Sequence, residues 1–116
     1  MPLITNILFA TLSAYCHCAD CCGEANQPTA SGRWPVVGRT IAAPRRIPFG
    51  TKVILPNGKI LTVEDRLAKR FDHRFDVFLS SHMDAKKFGK NTKQKLKLVY
   101  EKPNTPNRKT KVRAKN

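Results

Sequence analysis

Acidic residues are scarce in this 116-residue chain, 8 Asp plus Glu against 22 Lys plus Arg, so their positions are informative. Two segments set an aspartate among apolar and basic neighbours: Val63-Glu64-Asp65-Arg66, and Arg74-Phe75-Asp76-Val77-Phe78. The first reads as the end of one strand and the second as the start of another. If the two strands are neighbours, Asp65 and Asp76 project into one site. Val63, Phe75, Val77 and Phe78 would then partly desolvate them. Burial and a shared like charge both raise a carboxyl pKa, as a general acid working near neutrality requires. Arg66, Arg70 and Arg74 act in the other direction and favour ionisation. Two carboxylates among arginines are also what a pair of structural salt bridges looks like, so the pair alone does not name a reaction.

Four cysteines fall within seven residues, Cys16, Cys18, Cys21 and Cys22, with His17 among them and no cysteine elsewhere. They cannot staple distant parts of a fold. They are candidates for a structural zinc, but the spacing is tighter than paired C-x2-C knuckles and adjacent cysteines ligate awkwardly. A local disulfide or plain thiols in a loop is the simpler expectation, with no cofactor. His82 lies in the first turn of an expected helix, where a packing or capping role is the ordinary one, and His73 lies in a charged loop. Ser31 and Ser80 have no base nearby in sequence and occupy no nucleophile elbow. Trp34, the single tryptophan, suits either sugar stacking or a half-buried anchor. No glycine-rich phosphate loop is present.

The elements that must position these groups are short. Ile7–Tyr15 is rich in aromatic and branched residues and reads as a first strand rather than an export signal, because no Lys or Arg precedes its apolar stretch. A loop carrying the cysteines runs through Pro28, and Thr40–Ala42 is a short apolar stretch. Lys52–Leu55 and Ile60–Glu64 flank Pro56-Asn57-Gly58-Lys59, a hairpin signal because Asn-Gly accepts the positive φ of a tight turn. Phe75–Leu79 is a further strand. Ser81-His82-Met83-Asp84 resembles a capping box and opens a short helix ending at Gly89. Gln94–Tyr100 alternates polar and apolar, as a half-buried last strand does. Residues 102–116 carry proline, asparagine and basic residues and are expected to form a disordered tail. The expectation is a single mainly β domain over residues 1–101, a small barrel with one helix.

The formal charge is +14, which draws a protein to polyanions. Six lysines between Lys86 and Lys97 and six basic residues in the tail account for much of it. No run of about 18 apolar residues exists, which excludes a transmembrane helix. Specific nucleic-acid recognition is not expected, since no recognition motif appears and the aromatics do not interleave with the basic run.

Several motifs occur in a familiar order: Ala14-Tyr15-Cys16-His17-Cys18 with Cys21-Cys22-Gly23, then Thr29-Ala30-Ser31-Gly32 and Gly38-Arg39-Thr40-Ile41-Ala42. Ile47-Pro48-Phe49-Gly50-Thr51-Lys52 follows, then the two aspartate segments, then Ser81-His82 with Ala85, Phe88 and Gly89. Together they resemble the 3D (three-aspartate) domain of small bacterial cell-wall proteins, resuscitation-factor-like stationary-phase proteins and membrane-bound lytic transglycosylase A. The match runs from about Ala10 to Tyr100. The resemblance implies a six-stranded double-psi β-barrel that cleaves peptidoglycan glycan strands and leaves 1,6-anhydro-N-acetylmuramoyl ends.

On that resemblance Asp76 is the acid/base and Asp65 positions it or the sugar. Thr29, Ser31, Arg66, Arg74 and His82 are then expected to bind substrate. The chain departs from the family in having Ala43 at the position of the first aspartate, and Leu67-Ala68-Lys69-Arg70-Phe71 in place of a glycine-rich stretch. The expected partner is peptidoglycan, with anionic wall polymers as further ligands. The expected setting is the bacterial cell envelope or the extracellular space, and the expected form a monomer. Two other readings use the same residues: a wall-binding module without catalysis, and a non-specific basic binder of polyanions such as nucleic acid.

Overall fold

A computed structural model of the chain describes residues 3–16, 28–67, 71 and 73–101. The described residues form β1 (Leu3–Tyr15), β2 (Thr40–Ala43), β3 (Lys52–Ile54), β4 (Ile60–Arg66), β5 (Arg74–Phe78), a helix α1 (His82–Phe88) and β6 (Asn91–Glu101). The strands close into a barrel in the order β1-β5-β2-β4-β3-β6. The expected mainly β fold, a six-stranded barrel with one short helix, is therefore observed. The expected tail, residues 102–116, lies outside the described residues.

Alternation along the strands makes the barrel. Leu12, Ile41, Val53, Leu61, Val63, Phe75, Val77, Leu96 and Leu98 fill the interior. Their neighbours Ser13, Ala42, Thr62, Asp76, Lys95 and Lys97 fall on the other face, because successive side chains of a strand point to opposite sides. Burial of a side chain such as Phe75 or Ile41, both without exposed surface, contributes about 1.5–3 kcal/mol.

Turn chemistry sets the register. Leu55 and Lys59 close the β3–β4 hairpin, with the Leu55 N–H on the Lys59 carbonyl and the Gly58 N–H on the Leu55 carbonyl. Gly58 supplies the positive φ of 90°, and Asn57 Oδ1 accepts the Lys59 N–H at 3.0 Å. The Ser81 hydroxyl caps α1 by accepting the Asp84 N–H at 3.0 Å. Gly89 ends the helix at φ 71°.

Two pairings are parallel, β1 with β5 and β2 with β4. They bring together residues far apart in sequence. The strands of Asp65 and Asp76 are not neighbours, as the simplest sequence reading would have them: β2 lies between them. Strands also run longer than their sequence signals, β1 beginning at Leu3 and β6 at Asn91, because residues 3–10 and 94–101 pair with one another as one antiparallel ribbon.

Candidate active site

The register places four residues side by side across four strands. Ser13 of β1 pairs with Asp76 of β5, Asp76 pairs with Ala42 of β2, and Ala42 pairs with Asp65 of β4. Opposed residues of paired strands share a face, so Ser13, Asp76, Ala42 and Asp65 form one row turned away from the core. Two strand spacings separate the backbones of the aspartates, about 9–10 Å. Ala42, itself buried, stands between them in the row.

A β-bulge explains how Asp65 joins this row. Ile41 is opposite Val63, but the next residue, Ala42, is opposite Asp65, so Glu64 is an extra residue in β4. A bulge breaks alternation and re-aims side chains. The two acidic residues thereby turn to the same side, although they are consecutive. Glu64 is 2% exposed and accepts the Thr40 hydroxyl at 2.7 Å. It forms ion pairs with Arg33 Nη1 at 2.9 Å and Arg39 Nε at 3.0 Å.

Asp65 is held from three directions. Its Oδ2 accepts the Tyr15 hydroxyl at 2.7 Å. Its Oδ1 accepts the Ala30 N–H at 2.9 Å and the Arg66 N–H at 2.8 Å. Tyr15 is oriented by an edge-on contact with Phe78, centroids 5.4 Å apart. Ser31 docks the same turn on β4 by donating its N–H to the Glu64 carbonyl at 3.1 Å.

Asp76 is less committed. It is 7% exposed, and its Oδ1 accepts the Ser13 hydroxyl. Arg74 Nε lies 3.4 Å from the same oxygen and has no hydrogen-bond partner among the described residues, so it acts through charge. Its guanidinium lies 4.0 Å over the Phe71 ring. Burial raises the Asp76 carboxyl above the ordinary aspartate value, and the Ser13 hydrogen bond and the Arg74 charge offset only part of that rise. Ser13 and Arg74 thus both act on Oδ1.

The apolar neighbours expected to desolvate the aspartates mostly serve otherwise: Val63, Phe75 and Val77 belong to the core on the opposite face. Ser13 and Tyr15 were not singled out in the sequence, although their spacing of two puts both on one strand face with Asp76 and Phe78. Of the expected substrate-binding residues, Thr29 and Ser31 satisfy one another, hydroxyl to hydroxyl at 2.9 Å, and the Thr29 hydroxyl also donates to the Arg33 carbonyl at 2.7 Å. Arg66 lies 4.0 Å over the Phe49 ring and donates to the Pro44 carbonyl at 3.3 Å. His82, exposed at the start of α1, has Nδ1 4.0 Å from Cys16 Sγ.

Ala43 is fully buried in the core. Trp34 is 57% exposed. Cys16 is buried, whereas His17, Cys18, Cys21 and Cys22 lie outside the described residues, as does Arg70. No group of three or more His, Cys, Asp or Glu side chains among the described residues is arranged to hold a metal ion. No helix among them is long and apolar enough to cross a membrane.

No protein-family model matches the chain, and no curated protein sequence matches it.

Proposed function

We propose that the chain is a peptidoglycan-cleaving lytic transglycosylase in which Asp76 is the acid and then the base. The observation that carries this reading is the placement of Asp76: buried, held on one oxygen by Ser13 and Arg74, with burial raising its carboxyl above the ordinary aspartate value. The order of the motifs that resemble the three-aspartate domain, two of its aspartates among them, supports the choice of substrate, and the charge of +14 suits an acidic wall.

Asp76 gives its proton to the glycosidic oxygen between N-acetylmuramic acid and N-acetylglucosamine, and the bond from that oxygen to muramoyl C1 breaks. The resulting carboxylate takes the proton of the muramoyl C6 hydroxyl as O6 closes on C1. The anhydro end forms and Asp76 is again protonated. One residue can serve both halves because the second reverses the protonation change of the first. A hydrolase would need a second carboxylate as nucleophile or base; here the substrate hydroxyl takes that place. Asp65, saturated by Tyr15, Ala30 and Arg66, is a positioning group.

Digestion of purified peptidoglycan, with products read by mass spectrometry and Asp76→Asn alongside, tests the proposal. Ends of 1,6-anhydro-N-acetylmuramic acid that vanish in the variant are expected. Reducing ends would mean hydrolysis instead. Intact wall with the protein still bound to it would mean a binding module on the same barrel.

A further inference from the structure

The antiparallel ribbon of β1 and β6 has two faces. One closes the barrel: Leu96 and Leu98 belong to the core, and Leu8 and Ala10 pack against it. Strand alternation puts Leu3, Ile7 and Phe9 of β1 on the other face, with Lys95 and Lys97 of β6. Leu3, Ile7 and Phe9 are 66%, 56% and 65% exposed. Three large apolar side chains in water along one strand face form a patch of the kind that a partner covers.

The register gives this patch its charge. Phe9 is opposite Lys95 and Ile7 is opposite Lys97, and side chains directly opposed across two strands are neighbours. Both lysines are exposed. β1 carries no charged residue, and Glu101, opposite Leu3, is the one acid of the two strands. Residues 102–116, which follow β6 directly in sequence, add six Lys and Arg and no Asp or Glu.

This combination selects among partners. A second copy of the same face would set lysines against lysines. A nucleic acid offers phosphates to Lys95 and Lys97 but nothing to Leu3 and Ile7. The surface of an anionic bilayer matches both: apolar side chains sink to the boundary of the acyl chains, while lysines on long stems reach back to the phosphates.

We infer that the outer face of the β1–β6 ribbon docks on an anionic phospholipid bilayer, with Leu3, Ile7 and Phe9 inserted and Lys95 and Lys97 on lipid phosphates. The inference stands apart from the reaction at Asp76. Ser13 lies on the same face of β1, four residues past Phe9 and about 13 Å along the strand, so docking holds the aspartate row near the bilayer surface.

The full chain is sedimented with vesicles of phosphatidylcholine alone and of phosphatidylcholine mixed with phosphatidylglycerol. Binding to the anionic vesicles, and much weaker binding to the neutral ones, is expected. Phe9→Ser and Ile7→Ser should each weaken anionic binding about tenfold, and Lys95→Gln and Lys97→Gln about fivefold each. All four side chains are exposed, and circular dichroism confirms that each variant folds.

No sedimentation of the native chain with the anionic vesicles overturns the inference. So does binding that the lysine variants weaken but Phe9→Ser and Ile7→Ser leave unchanged, which is charge attraction without insertion. Equal binding to neutral vesicles overturns the anionic assignment. A dimer in size-exclusion chromatography that Phe9→Ser dissociates, with no vesicle binding, gives the face to a second copy instead. Peptidoglycan digestion is read separately, so failure of the docking face and failure of the transglycosylase reading are distinguished.

Discussion

Replacing Asp76 by Asn tests the burial argument without any substrate. The two side chains are nearly the same size, and the amide oxygen still accepts the Ser13 hydroxyl, so the change removes chiefly a buried titrating group. Folded Asp76 keeps its proton to higher pH than the ordinary aspartate value of 3.8, which stands for the unfolded chain. Between those two values the folded state binds more protons than the unfolded state, so stability falls as pH rises through that window. Below it the carboxyl is neutral in both states and carries no penalty; above it the full cost of the buried charge is present.

One proton sets the largest possible slope, about 1.4 kcal/mol per pH unit. For a domain of about 100 residues that is about 6–7 °C in Tm per unit. The assay is urea unfolding of the native protein and Asp76→Asn between pH 3 and 8, and the quantity read is the difference between them. Distant carboxylates titrate alike in both proteins and cancel. The variant should gain on the native protein as pH rises above about 3.8 and then hold a constant advantage. Ser13→Ala removes a contact that lowers the Asp76 pKa, so it should move the plateau to higher pH. Parallel curves for the native protein and Asp76→Asn, or a native protein that gains on the variant as pH rises, would refute the argument that burial dominates at Asp76.

Tyr15→Phe takes one donor from Asp65 and should slow glycan cleavage about tenfold while costing only about 1 kcal/mol of stability, read by anhydro-product yield and by urea unfolding. Glu64→Ala leaves Arg33, Arg39 and the Thr40 hydroxyl without their acceptor. A loss of about 1–3 kcal/mol is expected, chiefly from the orphaned Thr40 hydroxyl and the lost packing, because Arg33 and Arg39 reach solvent, with Glu64→Gln milder because it keeps the Thr40 bond; thermal unfolding distinguishes the two. Gly58→Ala should cost about 1–2 kcal/mol in the same assay. Nothing within 4 Å would meet the added methyl, so the strain at φ +90° is the whole effect.

Much of the architecture was legible in the chain because it is written locally. Asn57-Gly58 announces its hairpin through the φ values glycine allows. Ser81 and Gly89 bound the helix because each satisfies backbone groups the helix leaves unpaired. The alternation in Gln94–Tyr100 shows which side of its strand meets the core. These signals need only a few neighbouring residues, and the structure has each of them. The candidate site was legible in part: Asp65 and Asp76 stood out as scarce acids beside apolar residues.

Their relation could not be read the same way. The insertion of β2 between their strands depends on two parallel pairings between distant segments, and no local pattern encodes which strands will pair. The bulge at Glu64 is equally hidden, since strict alternation would send Glu64 and Asp65 to opposite faces. It is fixed only when β4 is laid against β2 and one residue is left over. Ser13 gains its role from the parallel register of β1 on β5, across 63 residues of sequence. The sequence by itself determined the turns, the caps and the inward faces, because those rest on short-range sterics and hydrogen bonding. Tertiary structure decided which carboxyl is buried, which is saturated with donors and which residues stand beside them, because desolvation and partner geometry exist only once distant strands have closed the barrel.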